Sequence, residues 1–120
     1  MKRRIIAAVD DLFFAAKIRT VGEQLGIRVE FARELTAALA AARAEPPALV
    51  IADLQAQRIE PFALARALKA DEALRAVPIV GFFAHVNTEL QEQARQAGYD
   101  RVLPRSAFTQ RLPELIQGQL

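Results

Sequence analysis

The chain has 120 residues, 52% of them hydrophobic, with a formal net charge of +2 and no cysteine. This length and apolar content fit one domain over residues 1–120, and no apolar run reaches the roughly 18 residues that a membrane helix needs. The lack of cysteine excludes disulfides, thiolate nucleophiles and cysteine-ligated zinc, and it favours a cytoplasmic location. Because most basic residues are scattered singly, we expect neither direct nucleic-acid binding nor membrane association.

Five short apolar segments rich in β-branched residues predict five strands. They cover residues 5–9, 27–31, 49–52, 79–83 and 102–103. Most are continuous apolar runs instead of alternating patterns, which is typical of parallel strands covered on both faces.

Segments with helical spacing alternate with these strands and predict four regular helices. Their apolar positions are Phe14, Ile18, Val21 and Leu25; Leu35, Ala38, Leu39 and Ala42; Phe62, Ala65 and Leu68; and Leu90, Ala94 and Ala97. Gly26 and Gly98 follow the first and fourth helices, where a left-handed residue commonly ends a helix. Pro61 suits the first position of the third helix, and Asn87 or Thr88 suits the cap of the fourth.

The last helical segment is interrupted by a proline. Leu112, Leu115 and Ile116 share a helical face, but Pro113 lies among them and removes a backbone hydrogen bond. We therefore predict a tight turn over residues 107–111 and then a short helix that begins near Pro113.

This alternation of strand and helix predicts an α/β fold. Right-handed crossovers give a five-stranded parallel sheet with helices on both faces. We expect the flavodoxin-like strand order 2-1-3-4-5. Binding sites of such sheets lie beyond the carboxyl ends of the strands.

Three acidic residues stand at those strand ends. Asp10 and Asp11 follow the first strand and Asp53 follows the third, its neighbour in this order. Carboxylates that converge in one crevice repel one another, and a divalent cation such as Mg²⁺ relieves the repulsion. An Asp beside such a metal is a plausible nucleophile toward phosphorus. The alternative is that Asp10 and Asp11 cap the first helix and that Asp53 is an ordinary loop acid.

The chain resembles the receiver domain of bacterial response regulators along essentially its whole length. The resemblance lies in the segments IIAAVDD, ALVIADL, VPIVGFFAHV and QAGYDRVLPRSAF. It implies a non-enzymatic phosphoprotein of a two-component system, with Asp53 as the phosphoacceptor. It also implies Mg²⁺ bound by Asp10, Asp11, Asp53 and the backbone carbonyl of Gln55. The implied partners are a histidine kinase or phosphotransfer protein and, downstream, another protein or a second copy of the chain. Because the chain ends just after the last predicted helix, we expect input and output to be other proteins or domains outside this sequence.

Several positions depart from the family pattern. Phe83 stands where a Ser or Thr hydroxyl is expected to reach the phosphoryl group, and residues 79–86 contain no hydroxyl at all. Val102 replaces an aromatic switch residue, Arg105 replaces a Lys, and Pro61 replaces a Gly. An alternative function is therefore a pseudo-receiver, an interaction module that works without phosphorylation.

Other interpretations rest on fewer residues. His85 is either a metal ligand or a solvated loop residue, and Phe82, Phe83 and Phe108 form either an exposed patch or part of the core. A nucleotide-binding or enzymatic role on the same sheet lacks a Gly-rich phosphate loop, a Walker-type lysine motif and a Ser-His-Asp arrangement. We therefore expect no catalytic residues.

Overall fold

The computed structural model describes residues 3–85 and 87–120. Five strands and five α-helices alternate within them: β1 (Arg4–Ala8), α1 (Leu12–Gln24), β2 (Arg28–Ala32), α2 (Leu35–Ala44), β3 (Leu49–Asp53), α3 (Pro61–Ala70), β4 (Ile79–Phe83), α4 (Thr88–Ala97), β5 (Arg101–Pro104) and α5 (Arg105–Ile116). A short 3₁₀ helix, Gln57–Ile59, precedes α3. None of the helices in the described ranges has the length and apolar character to cross a bilayer.

The strands form one parallel sheet in the order β2-β1-β3-β4-β5. The predicted fold class and strand order are confirmed. The order reverses between β1 and β3, so the carboxyl ends of these two strands border the crevice where sites of this architecture form. Asp53, the last residue of β3, is in register with Phe82 of β4.

Two apolar cores cover the two faces of the sheet. Ile5 and Ala7 of β1 pack on one face with α1 and α5, whereas Ile6 and Ala8 pack on the other with α2, α3 and α4. Successive strand residues point to opposite faces, so a strand with helices on both sides is apolar at every position. This explains the continuous apolar runs in the sequence.

Most of the predicted helix ends are confirmed. Pro61 is the first residue of α3. Asn87 caps α4 by accepting a hydrogen bond from the backbone nitrogen of Leu90 at 3.0 Å. Gly98 follows α4 with φ +120°, a conformation that favours glycine. One face assignment was wrong: Leu25 follows α1 as its C-terminal cap and is 40% exposed.

The prediction for the last helix was wrong. α5 runs without interruption from Arg105 to Ile116, with Pro113 inside it, in place of a turn over residues 107–111. Phe108 and Leu112 before the proline, and Leu115 after it, are fully buried against the sheet. Burying a large apolar side chain contributes about 1.5–3 kcal/mol, so several together exceed the roughly 3 kcal/mol cost of one internal proline.

Candidate functional site

The three acidic residues lie at the carboxyl end of the sheet, as predicted. Asp53 ends β3, while Asp10 and Asp11 lie in the loop between β1 and α1. Asp53 is buried with 7% of its surface exposed, whereas Asp10 and Asp11 are partly exposed. Since β1 and β3 are paired directly, the acids border one crevice.

Both carboxylate oxygens of Asp11 have partners within the protein. Oδ1 accepts hydrogen bonds from the backbone nitrogens of Phe13 and Phe14, at 2.9 and 3.1 Å, and so caps α1. Oδ2 lies 3.6 Å from a terminal nitrogen of Arg105. The helix-capping alternative is therefore realised for Asp11, and a cap of this kind is worth about 1 kcal/mol to the helix.

The environment of Asp53 disfavours its charged form. Burial raises the pKa of the Asp53 carboxyl, and the negative charges of Asp10 and Asp11 raise it further. The backbone N–H of Gln55, which donates to Oδ1 at 2.9 Å, and the positive charge of Arg105 oppose this rise in pKa. A cation placed beside Asp53 would relieve the unfavourable charge.

The side chain of Gln55 joins the ends of β3 and β4. Its Oε1 accepts a hydrogen bond from the backbone nitrogen of Ala84 at 2.7 Å. Only the backbone carbonyl of Gln55 was predicted as a ligand, because nothing in a sequence shows where a flexible amide side chain folds back.

Arg105 connects the acids to a stack of aromatic rings. Its guanidinium carbon lies 4.7 Å from the ring centroid of Phe14 and 5.8 Å from that of Phe82. The rings of Phe14, Phe82 and Phe108 stack on one another. The centroid of Phe82 lies 4.6 Å from that of Phe14 and 4.7 Å from that of Phe108, and the centroids of Phe14 and Phe108 are 5.7 Å apart. A cation over an aromatic face contributes about 0.5–1 kcal/mol at an exposed site, so the contact with Phe14 fixes the position of the Arg105 side chain only weakly. Its buried Nε has no hydrogen-bond acceptor among the described residues.

Phe83 and Val102, which depart from the family pattern, lie outside this crevice. Phe83 is 1% exposed and packs in the core beneath α2, α3 and α4. Val102 is half-buried in β5 against the same core. Phe82 and Phe108 are fully buried as well, so the core interpretation of the three phenylalanines is correct. Val86, the last residue of the segment without hydroxyls, lies outside the described residues.

Two further residues complete the surroundings. The single tyrosine, Tyr99, is buried, and its hydroxyl donates to the backbone carbonyl oxygen of Pro61 at 2.8 Å. Burial raises the pKa of this phenol far above its ordinary value, so it remains a hydrogen-bond donor at physiological pH. Tyr99 was not predicted as a site residue, although a lone tyrosine beside a buried strand is a reasonable signal for such a bond. His85 is exposed in the bend after β4.

The oxygen ligands at the crevice suit a hard divalent cation. In the described part of the chain, no three His, Cys, Asp or Glu side chains are grouped so that they could hold a metal ion together. Mg²⁺ does not require such a group, because it commonly takes one or two carboxylates and keeps several waters. Asp10, Asp53 and the carbonyl of Gln55 supply ligands of this type, and a cation beside Asp53 would offset its burial, which is the main cause of its raised pKa. The ligand set stays a prediction.

Comparisons with known proteins place this geometry in a family. The sequence pattern of the response regulator receiver domain matches residues 5–117. The fold is similar to that of a response regulator from Hahella chejuensis, with a TM-score of 0.88, 23% identity, and 99% of this chain and 96% of that one covered. The chemotaxis response regulator CheY4 of Vibrio cholerae is similar over 100% of both chains, with a TM-score of 0.86 and 18% identity.

A third solved structure is the receiver domain of the sensor histidine kinase PA1611 from Pseudomonas aeruginosa, with a magnesium ion in its active-site cleft. It has a TM-score of 0.86 and 21% identity, and covers 98% of this chain and 96% of that one. No curated protein matches the sequence. Since the family pattern spans nearly all of the chain, this protein belongs to the response regulator receiver domain family.

Proposed function

We propose that this receiver domain accepts a phosphoryl group on Asp53 with the help of Mg²⁺, and that it signals through contacts with other proteins. The observation that carries the proposal is the position of Asp53. It is a buried carboxylate at the end of a central strand, with two acids and one arginine bordering the same crevice. Receiver domains generally act as signalling modules and not as enzymes.

The hydrogen bonds of Asp53 indicate which of its oxygens reacts. Oδ1 accepts the N–H of Gln55, whereas Oδ2 accepts no hydrogen bond from the described residues. Oδ2 is therefore the nucleophile in our proposal: it forms the new bond to phosphorus while the bond from phosphorus to the donor breaks. Arg105 supplies positive charge close to the group that is transferred.

Mg²⁺ would be held by Asp10, Asp53 and the backbone carbonyl of Gln55, with Asp11 as the fourth predicted ligand. When bound, the ion would neutralise charge on the carboxylates and on the phosphoryl oxygens. The magnesium ion in the PA1611 receiver domain supports this assignment by analogy. Asp11 would need to give up a contact, because both of its oxygens have partners.

The proposed phosphoryl donor is a histidine kinase or a phosphotransfer protein of the cytoplasm. A downstream protein or a second copy of the chain would read the signal. A hollow of about 670 Å³ between α4 and β5 is bordered by Arg95 and Arg101 and also by Glu92 and Asp100, so this surface carries charges of both signs. A partner that also carries both charges suits it best.

A pseudo-receiver is the second candidate function, and two positions favour it. Phe83 has no hydroxyl to donate to a phosphoryl oxygen, and its burial holds it in the core. Val102 has no ring to rotate. In this alternative Asp53 is never phosphorylated and the domain binds its partner constitutively.

Intact mass spectrometry after incubation with acetyl phosphate tests the proposal. The parent protein is compared with Asp53→Asn, each with Mg²⁺ and with a chelator, and circular dichroism verifies folding. We expect one phosphoryl adduct that requires both Mg²⁺ and Asp53. A folded parent protein that gains no adduct from acetyl phosphate or from a phosphorylated histidine kinase would favour the pseudo-receiver.

A further inference from the structure

A groove runs between α1 and α5, beside the acidic crevice. Its volume is about 600 Å³, and its walls include Phe13, Phe14, Lys17, Arg105 and Thr109. Asp11 lines it too, so the groove begins where the crevice ends. Phe13 is 92% exposed, whereas Phe14 is only 5% exposed.

Arg105 stands between this groove and the crevice. Its guanidinium covers the ring of Phe14 at 4.7 Å, and one terminal nitrogen lies 3.6 Å from Oδ2 of Asp11. The separation of 3.6 Å exceeds that of a normal charge-assisted hydrogen bond, and both side chains are more than a third exposed. Such a pair is weak, because water screens it.

The ring beneath Arg105 is anchored in the core. Phe14 stacks on Phe82 and Phe108, and both of these rings are fully buried. The side chain of Arg105 can therefore change position without any change in the core. By contrast, Phe83 on the other face of the sheet has no polar group and is packed on all sides, so it cannot follow a charge at Asp53.

A phosphoryl group on Asp53 would change the balance of charge around Arg105. It adds close to two negative charges and three strong acceptor oxygens, and a guanidinium binds such a group through two parallel hydrogen bonds. Arg105 is already near enough for its charge to act on the Asp53 carboxyl. Its Nε, which has no acceptor within the described residues, would gain one.

We propose that Arg105 is a switch residue that leaves Asp11 and the face of Phe14 when Asp53 becomes phosphorylated, and that it thereby opens the groove between α1 and α5. The inference rests on the proposed phosphorylation of Asp53. It places the first structural response of this receiver on the α1–α5 side of the sheet, and not on the side where Phe83 and Val102 lie.

Fluorine NMR with beryllofluoride and Mg²⁺ tests this inference in the full chain. Signals of bound beryllofluoride report occupancy of the Asp53 site, and 4-fluorophenylalanine at the seven phenylalanines reports their surroundings. The Phe14 signal is assigned from its loss in Phe14→Leu. Dissolved oxygen is paramagnetic, so the increase that it causes in the fluorine relaxation rate of each ring measures the solvent accessibility of that ring.

We expect beryllofluoride to shift the Phe14 signal and to increase its solvent accessibility in the parent protein. Arg105→Lys keeps the positive charge but not the planar group over the ring. In this variant the Phe14 signal should already lie near the shifted position without beryllofluoride, and adding beryllofluoride should not move it further. Arg111→Lys, a matched exchange on the same helix, should behave like the parent.

Three results would overturn the inference, and the third has a different meaning from the first two. Bound beryllofluoride with an unchanged Phe14 signal in the parent, or an equal response in Arg105→Lys, would show that Arg105 does not respond to the site. If the parent binds no beryllofluoride and forms no adduct with acetyl phosphate, the proposed function fails and the inference fails with it.

Discussion

The side-chain oxygen of Gln55 accepts a hydrogen bond from the backbone nitrogen of Ala84 at 2.7 Å. One step earlier, the backbone nitrogen of Leu54 donates to the carbonyl oxygen of Phe82 at 2.9 Å. The amide of Gln55 therefore continues the hydrogen bonding between the two central strands into the loops where they separate, beside the phosphoacceptor that we propose.

Replacing Gln55 should loosen this end of the sheet. Gln55→Met has a similar length but no oxygen, so the N–H of Ala84 loses its acceptor. We expect the free energy of unfolding to fall by about 0.5–1.5 kcal/mol, the value of a typical hydrogen bond. We also expect faster hydrogen exchange at Ala84, measured by NMR. Gln55→Glu keeps an acceptor oxygen and should preserve the protection, and unchanged exchange in Gln55→Met would contradict the assignment.

The stability gained by Asp53→Asn should depend on pH. Burial raises the pKa of Asp53 above its ordinary value of 3.8, so ionisation of this group destabilises the folded state. At a pH below the pKa that Asp53 has in the unfolded chain, the carboxyl is protonated in both states and this destabilisation is absent. The destabilisation grows as the pH rises from that pKa to the higher pKa of Asp53 in the folded state, and it is complete above the higher value.

Asn is neutral throughout, so Asp53→Asn should be more stable than the parent at neutral pH and nearly equal to it at about pH 3. Chemical denaturation of both proteins across this range provides the comparison. A variant that is less stable than the parent at neutral pH would show that hydrogen bonds and Arg105 compensate for the burial of Asp53.

Restoring a hydroxyl at residue 83 should be costly. Phe83 is 1% exposed in the core, and truncation of a buried phenylalanine costs about 3–5 kcal/mol. We expect Phe83→Thr to lose about 3 kcal/mol or more of unfolding free energy, because the ring leaves a cavity larger than the threonine fills. Denaturation by urea measures this loss. Phe13→Thr, at a residue 92% exposed, is the control and should change stability by less than about 0.5 kcal/mol.

Removing the proline from α5 should stabilise the protein. Pro113→Ala restores a backbone donor inside the helix, where alanine is favoured by about 3 kcal/mol, while the unfolded chain gains about 0.4–1 kcal/mol of conformational freedom. We expect a net gain of about 2–2.6 kcal/mol and a higher Tm by calorimetry. Pro104→Ala, at the exposed residue before the helix, should have little effect. A lower Tm for Pro113→Ala would mean that the ring contributes packing that the restored hydrogen bond does not replace.

The local pattern of residues was sufficient for most of the fold. Continuous apolar runs separated by amphipathic segments allow few topologies, because parallel strands need crossover helices and these crossovers are right-handed. The parallel sheet and the place of Asp53 at the end of β3 follow from that pattern, whereas the strand order was predicted by analogy with flavodoxin-like sheets. Pro61 and Gly98 also marked helix ends correctly, because their backbone preferences act through neighbouring residues only.

The sequence alone therefore determined the α/β sheet and the position of its three acids at the carboxyl ends of β1 and β3. Only the tertiary structure decided how side chains share that site. Asp11 caps α1 and meets Arg105, Gln55 reaches Ala84, and Phe14 supports the guanidinium. Partners far apart in the chain select these rotamers, and no local preference encodes them. The same reason explains α5: local rules end a helix at Pro113, whereas burial of Phe108 and Leu115 against a distant sheet continues it.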